Sequence, residues 1–180
     1  REALRLAPTN SYAQSDLGMA LLSQGQVDEA IRHLQTALAS LPLNADAHYQ
    51  PQAVRLNLGK AFLRKSRFPE AGNQLAESVR LDPANPEAHY LLALALACQG
   101  GIENAVQHYS QAVALQPGVD TSVTLHEMLG DNYAKAGRWP EAIRSAEHAL
   151  QLARSTGKND LADRVNARLL RYRAQAASLR

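Results

Sequence analysis

The stretch "LGKAFLRKSRFPEAGNQLAESVRLDP", Leu58 to Pro83, decides how this 180-residue chain is read. Gly59 follows a leucine and Phe62 comes about one helical turn later. Ala71 lies twelve residues after Gly59, Ser78 seven beyond that, and Pro83 five further on. The same steps lead from Gly18 to Ala30, Ala37 and Pro42, and from Ala93 to Ala105, Ala112 and Pro117. They also lead from Gly130 to Ala142 and Ala149, where Arg154 stands in place of the proline. Leu21, Leu96 and Tyr133 match Phe62. Small residues let helices approach closely and bulky ones fill the space beside them. Self-similarity at a fixed period marks a repeat architecture.

Between the two halves of each unit stand "SQGQ", "RKSR", "CQGG" and "KAGR". Each is followed by one apolar residue, Val27, Phe68, Ile102 or Trp139. Then comes an acidic or Pro-Glu helix start: Asp28-Glu29, Pro69-Glu70, Glu103 or Pro140-Glu141. Proline in a first helical turn sacrifices no hydrogen bond, and glutamate suits the positive end of the helix. The terminal prolines stop the second helix. Every unit is therefore expected to be a helix–turn–helix hairpin.

These columns resemble the tetratricopeptide repeat. The resemblance covers residues 11–44, 45–85 with about seven inserted residues, 86–119 and 120–156. Residues 1–8 match only the tail of a preceding repeat, as "EALRLAP" beside "ESVRLDP" shows, so the chain is expected to be cut from a longer array. Residues 159–180 are expected to form a capping helix. Asn159 and Asp160 would cap its start; Leu161, Val165, Leu169 and Tyr172 form one stripe, flanked by Arg164, Arg168 and Arg171. The resemblance implies an all-α fold, a right-handed α-α superhelix of four helix–turn–helix repeats with a C-terminal capping helix. Two departures stand out. Gln14, Arg55, His89 and His126 occupy the family's aromatic slot, and Ala146 replaces the large residue found at Leu34, Leu75 and Tyr109.

The small-residue slots are 41, 34 and 37 residues apart. The largest excess lies in "NADAHYQPQAVRLNLGKAF", Asn44 to Phe62, beside the uninterrupted "NPEAHYLLALALA" of the next unit. Seven residues at about 100° each fall only about 20° short of two turns. The first helix of that unit could thus lengthen by roughly 10 Å without turning its packed face. Pro51 argues instead for a short turn around Asp46 to Tyr49, a break, and a packed helix that starts at Pro51. Asp46 to Gln52 is the stretch most apart from the repeat pattern, and the first to mutate in search of a contact specific to this chain.

Ala and Leu dominate the hydrophobic fraction, with one Trp and two Phe, which favours helix over strand. No run approaches the roughly 18 apolar residues of a membrane span. Cys98 is alone, which excludes a disulfide framework and fits a reducing compartment. A cytoplasmic setting is expected for this segment, or a periplasmic one if it belongs to a membrane-anchored protein. From Arg154 onward seven Lys/Arg face two Asp, while before it twelve face fifteen acids, so a basic tail follows a mildly acidic body. The tail lacks aromatic interleaving, and no nucleic-acid partner is expected. His33, His89, His108 and His126 recur with the repeat, with His48 as a displaced counterpart, and read as satisfied structural residues. No zinc-binding, nucleotide-binding or nucleophile motif is present, so no metal, cofactor or catalytic site is expected.

In the tetratricopeptide resemblance the first helices line a concave groove. Matching offsets place there Tyr12, Ser15 and Met19 of the first unit, Asn57, Lys60 and Arg64 of the second, Glu87, Tyr90 and Leu94 of the third, and Glu127 and Asp131 of the fourth. An extended peptide or amphipathic helix with hydrophobic anchors would suit this wall, which makes the chain a non-catalytic protein-interaction scaffold. The family's chaperone-tail clamp would need a Lys/Asn/Asn/Lys/Arg set at Ser15, Met19, Asn57, Glu87 and Leu91; only Asn57 agrees. The residues from Leu125 to Arg173 are also similar to closing segments of bacterial repeat tails, some of which follow glycosyltransferase-like membrane modules. The alternative is thus a C-terminal spacer or substrate-presenting arm of a larger enzyme or membrane protein. Self-association through uncapped repeats is a third reading.

Overall fold

The structure, a computed structural model, describes residues 10–40, 50–116 and 123–179. Among these residues it consists of nine helices and no strand. The helices are α1 (Ser11–Ser23), α2 (Val27–Ala39), α3 (Pro51–Arg64), α4 (Phe68–Leu81), α5 (Pro86–Cys98), α6 (Ile102–Leu115), α7 (Val123–Lys135), α8 (Trp139–Ser155) and α9 (Asn159–Ser178). The second helices start at Val27, Phe68, Ile102 and Trp139, the apolar residues that follow each turn segment. The chain divides into two compact parts, residues 1–95 and 96–180, with the division inside α5.

One turn is used repeatedly. Gly25, Ser66, Gly100, Gly137 and Gly157 adopt positive φ values of 78°, 55°, 82°, 72° and 69°. The next residue's N–H then reaches back to a carbonyl in the last helical turn. Gln26 donates to Leu21, Arg67 to Phe62, Gly101 to Leu96, Arg138 to Tyr133 and Lys158 to Ala153, all at 2.9 Å. This is the left-handed helix ending that satisfies otherwise orphaned carbonyls. Its fifth copy joins α8 to α9, so the last helix is entered by the same turn as every second helix described. Asn10 and Asn85 cap α1 and α5, their side chains accepting from the N–H groups of Ala13 and Ala88 at 3.0 Å. The start of α9 differs from expectation: Lys158 sits at the N-cap, Asn159 is already helical, and no side chain caps it.

In the first part α1 packs on α2, α3 on α4, and α2 on α3. The reason for glycine in the small slot is steric. A Cβ on Gly59 would lie 2.5 Å from Leu75 Cγ, and one on Gly18 would lie 2.7 Å from Leu34 Cγ. Leu34 and Leu75 are wholly buried, so they cannot yield cheaply. Hydroxyls tie the hairpins: Ser11 Oγ donates to the Ser40 carbonyl at 3.1 Å, and Ser78 Oγ to that of Gln52 at 2.9 Å.

Pro51 is the first residue of α3, with Gln50 at its N-cap. At 14 residues α3 is only one residue longer than α1. The insertion therefore does not extend the packed helix; a proline at N1 starts a helix well but cannot sit inside one. The turn expected around Asp46 to Tyr49 lies outside the described residues, as does most of the Asp46 to Gln52 stretch.

In the second part α7 packs on α8 and α8 on α9. Here the small-slot logic changes. Ala146 leaves room beside Gly130, and the space is taken by α9: a Cβ on Gly130 would meet Tyr172 Cε2 at 3.3 Å. Val165, Leu169 and Tyr172 are buried, together with Ala162, while Leu161 is half-buried.

Candidate functional site

Five of the eleven side chains assigned to the groove gather in two arrangements, one in each compact part: Tyr12, Ser15 and Met19 in the first, Glu127 and Asp131 in the second. In the first, a notch of about 160 Å³ lies between α1 and the start of α3. Tyr12, Ser15, Asp16 and Met19 line it from α1, facing Gln50, Ala53 and Val54. The α1 residues share a face because they recur at helical spacing. Tyr12 and Met19 are 37% and 39% exposed, high for large apolar side chains, whereas Ser15 is buried. Asn57 donates to the Ala53 carbonyl of its own helix at 3.0 Å. Lys60 pairs with Glu87 at 2.9 Å, and Arg64 donates to the Leu22 carbonyl. These three groups have internal partners, while Tyr90 and Leu94 are half-buried.

In the second part Glu127 and Asp131 are bound by α9. Glu127 is buried and lies 3.1 Å from Arg164 and 3.6 Å from Arg168. Arg168 also reaches Asp131 at 3.0 Å, and the Tyr172 hydroxyl donates to the same carboxylate. Burial, and then this acceptor, push the Tyr172 hydroxyl pKa well above the usual tyrosine value. Beside this network Asp131, Ala134, Lys135, Trp139, Arg168, Arg171 and Tyr172 line a cleft of about 480 Å³, with Ala174 and Gln175 at its far side. The Trp139 and Tyr172 rings are 6.4 Å apart.

Sequence reasoning missed this cleft, although a signal was present: Ala146 leaves a gap that some other large side chain has to fill. It also missed a second cleft, of about 350 Å³, between α6 and α8 over α7. There the Tyr109 hydroxyl lies 3.0 Å from His126 Nε2, and the His126 and His148 rings are 5.2 Å apart. The polar residues in the aromatic slot each find a polar partner. Gln14 meets His33 Nδ1, Arg55 donates to Gln74 at 3.0 Å, and His89 Nε2 lies 3.1 Å from the Pro83 carbonyl. Buried polar groups are ordinarily hydrogen-bonded, and in this slot Arg55 Nε, buried and without a hydrogen-bond partner among the described residues, is the exception. Among the described residues no group of three or more His, Cys, Asp or Glu could hold a metal ion. Cys98 lies 3.5 Å from Met128 Sδ, and burial pushes its thiol pKa up. No helix among these residues is long and apolar enough to cross a membrane.

Hairpins with this turn, this small-slot packing and this helix pairing make an all-α solenoid of interaction repeats. Three tetratricopeptide repeat family models match residues 1–50, 56–120 and 125–160, and the chain belongs to the tetratricopeptide repeat family. No curated protein matches the sequence. Among solved structures, similarity extends to YrrB, described as a TPR protein with an unusual peptide-binding site. The identity is 18%, over 92% of this chain and 78% of that one, with a TM-score of 0.73. MamA from Desulfovibrio magneticus RS-1 is 22% identical over 84% of this chain and 80% of its own, TM-score 0.65. PilW, a type IV pilus biogenesis factor, is 19% identical over 92% and 71%, TM-score 0.66.

Proposed function

We propose that the chain is a non-catalytic protein-interaction scaffold that captures a peptide or helix, with the α1–α3 notch as its apolar anchor point. The carrying observation is the exposure of Tyr12 and Met19, about two helical turns apart on one face of α1, over that notch. An apolar side chain seated there removes both from water, and buried apolar area is the main source of peptide affinity. Lys60, Arg64, Glu87, Tyr90 and Leu94 make the remaining wall of the same part. The peptide-binding description of YrrB, a relative in fold, supports the reading.

Peptides selected from a displayed random library against the whole chain are expected to carry a large apolar residue. Their affinity should fall at least tenfold in a Tyr12→Ala/Met19→Glu variant, the loss of two well-buried contacts. Selected peptides that bind the double variant unchanged place capture elsewhere. Charge reversal at Lys60 or Arg64 is a poorer test, because both have internal partners to lose.

A further inference from the structure

We infer that the cleft between α7 and α9 is a docking site for an acidic segment of a partner protein carrying an apolar anchor. Asp131 and Glu127 are the acids that the sequence places at this end of the groove, and α9 changes their meaning. Arg164 and Arg168 neutralise Glu127, and Arg168 with the Tyr172 hydroxyl occupies Asp131. The cations left over decide the polarity of the cleft. Lys135 and Arg171 are exposed, line it, and have no acid within 4.0 Å among the described residues. The cleft therefore presents uncompensated positive charge. The half-buried Trp139 ring, the buried Tyr172 ring and the small Ala134 and Ala174 line the same cleft.

A cavity of about 480 Å³ takes a side chain or two rather than a whole helix. Exposed cations and aromatic rings in one cleft suit an extended segment whose carboxylates flank one apolar residue. Carboxylates would pair with Arg171 in two-pronged fashion and with Lys135 as a point charge, while the anchor covers Trp139. A nucleic acid would call for bases stacked in succession along a continuous basic track, and only one accessible indole is present. This proposal shares the scaffold reading of the chain but uses neither Tyr12 nor Met19, so the two can fail separately.

Trp139 is the chain's single tryptophan, so its emission reports on this cleft alone. The probe is a fluorescein-labelled short peptide alternating glutamate with leucine, titrated into the whole chain. Its counterpart with lysine for glutamate is the control. Binding of the acidic peptide should shift Trp139 emission and weaken with added salt. Lys135→Glu/Arg171→Glu should weaken it roughly tenfold, since each exposed ion pair contributes only a severalfold factor. Lys135→Gln/Arg171→Gln should give a smaller loss in the same direction. Far-UV circular dichroism should match wild type in both. Tyr12→Ala/Met19→Glu should leave this binding unchanged. Equal binding of the lysine peptide, an unmoved Trp139 spectrum, or full affinity in the reversed variant overturns the proposal. So does tighter competition by phosphatidylserine vesicles or a single-stranded oligonucleotide than by unlabelled acidic peptide.

Discussion

Ser66 occupies the turn position that Gly25, Gly100, Gly137 and Gly157 hold elsewhere, and it is the only described non-glycine residue with positive φ. Its Cβ is forced toward a neighbouring carbonyl, a strain of about 1 kcal/mol in the left-handed region. Against this, glycine makes the unfolded chain more flexible, which removes part of the gain. Ser66→Gly is expected to raise stability by roughly 0.5 kcal/mol, read as a higher urea midpoint at unchanged m-value. A lower midpoint would mean that the turn is held by something other than its dihedral angle. The register alone aligned Ser66 with the glycines, because a left-handed helix ending is a local feature. The same locality made Pro51 recognisable as a helix starter.

At the scale of the element, α9 depends on Tyr172 for two things. Its ring fills the space beside Gly130 and sits near Trp139, and its hydroxyl holds Asp131. Tyr172→Phe keeps the ring and removes one hydrogen bond to a charged group that Arg168 still satisfies, so about 1 kcal/mol is expected to be lost. Tyr172→Ala should cost about 3 kcal/mol or more, the scale of a buried aromatic truncated to a methyl group. Denaturant melts followed by Trp139 emission separate the two. Equal losses would show that the hydroxyl, not the ring, holds the helix. Helical periodicity identified the buried stripe of α9, since Val165, Leu169 and Tyr172 face inward as their spacing requires. It could not show that Glu127 and Asp131 would be consumed by that helix. Offsets within one repeat identify a face, but not which other helix covers it. A trace of the answer was present all the same: Arg164 follows Glu127, and Arg168 follows Asp131, by the same 37 residues.

For the whole molecule, acid should be a general destabiliser acting on both compact parts. Glu70 and Glu141 sit in the first turns of α4 and α8. Their carboxyls are held below the usual range by their own backbone N–H groups first and by Arg67 and Arg138 next. Arg80 does the same for Glu77. A carboxyl whose folded pKa is depressed contributes stability that is present above its unfolded value, about 4.3 for glutamate, and is lost as pH falls through the folded value. The thermal midpoint is therefore expected to be level above about pH 5 and to decline below about pH 4. Glu70→Gln/Glu141→Gln should lie lower at neutral pH and drop less on acidification. Parallel curves for the variant and wild type would remove these two glutamates from the explanation. Repetition of the Arg–Pro–Glu start was visible as "RFPE" and "RWPE", whereas the depth of each carboxyl's shift depends on side-chain geometry that no spacing encodes.

The substitution of a borrowed ring for a missing side chain at Ala146 also bears on how such an array can be rearranged. Hairpins built as Gly18 with Leu34, or Gly59 with Leu75, carry both halves of the fit within themselves and are portable. The hairpin of α7 and α8 is not. Copied ahead of a helix without an aromatic at the place of Tyr172, it would arrive with a hole beside Gly130 and two acids stripped of their arginines. Duplication can thus spread those two portable units freely, while residues 123–178 have to travel as one block.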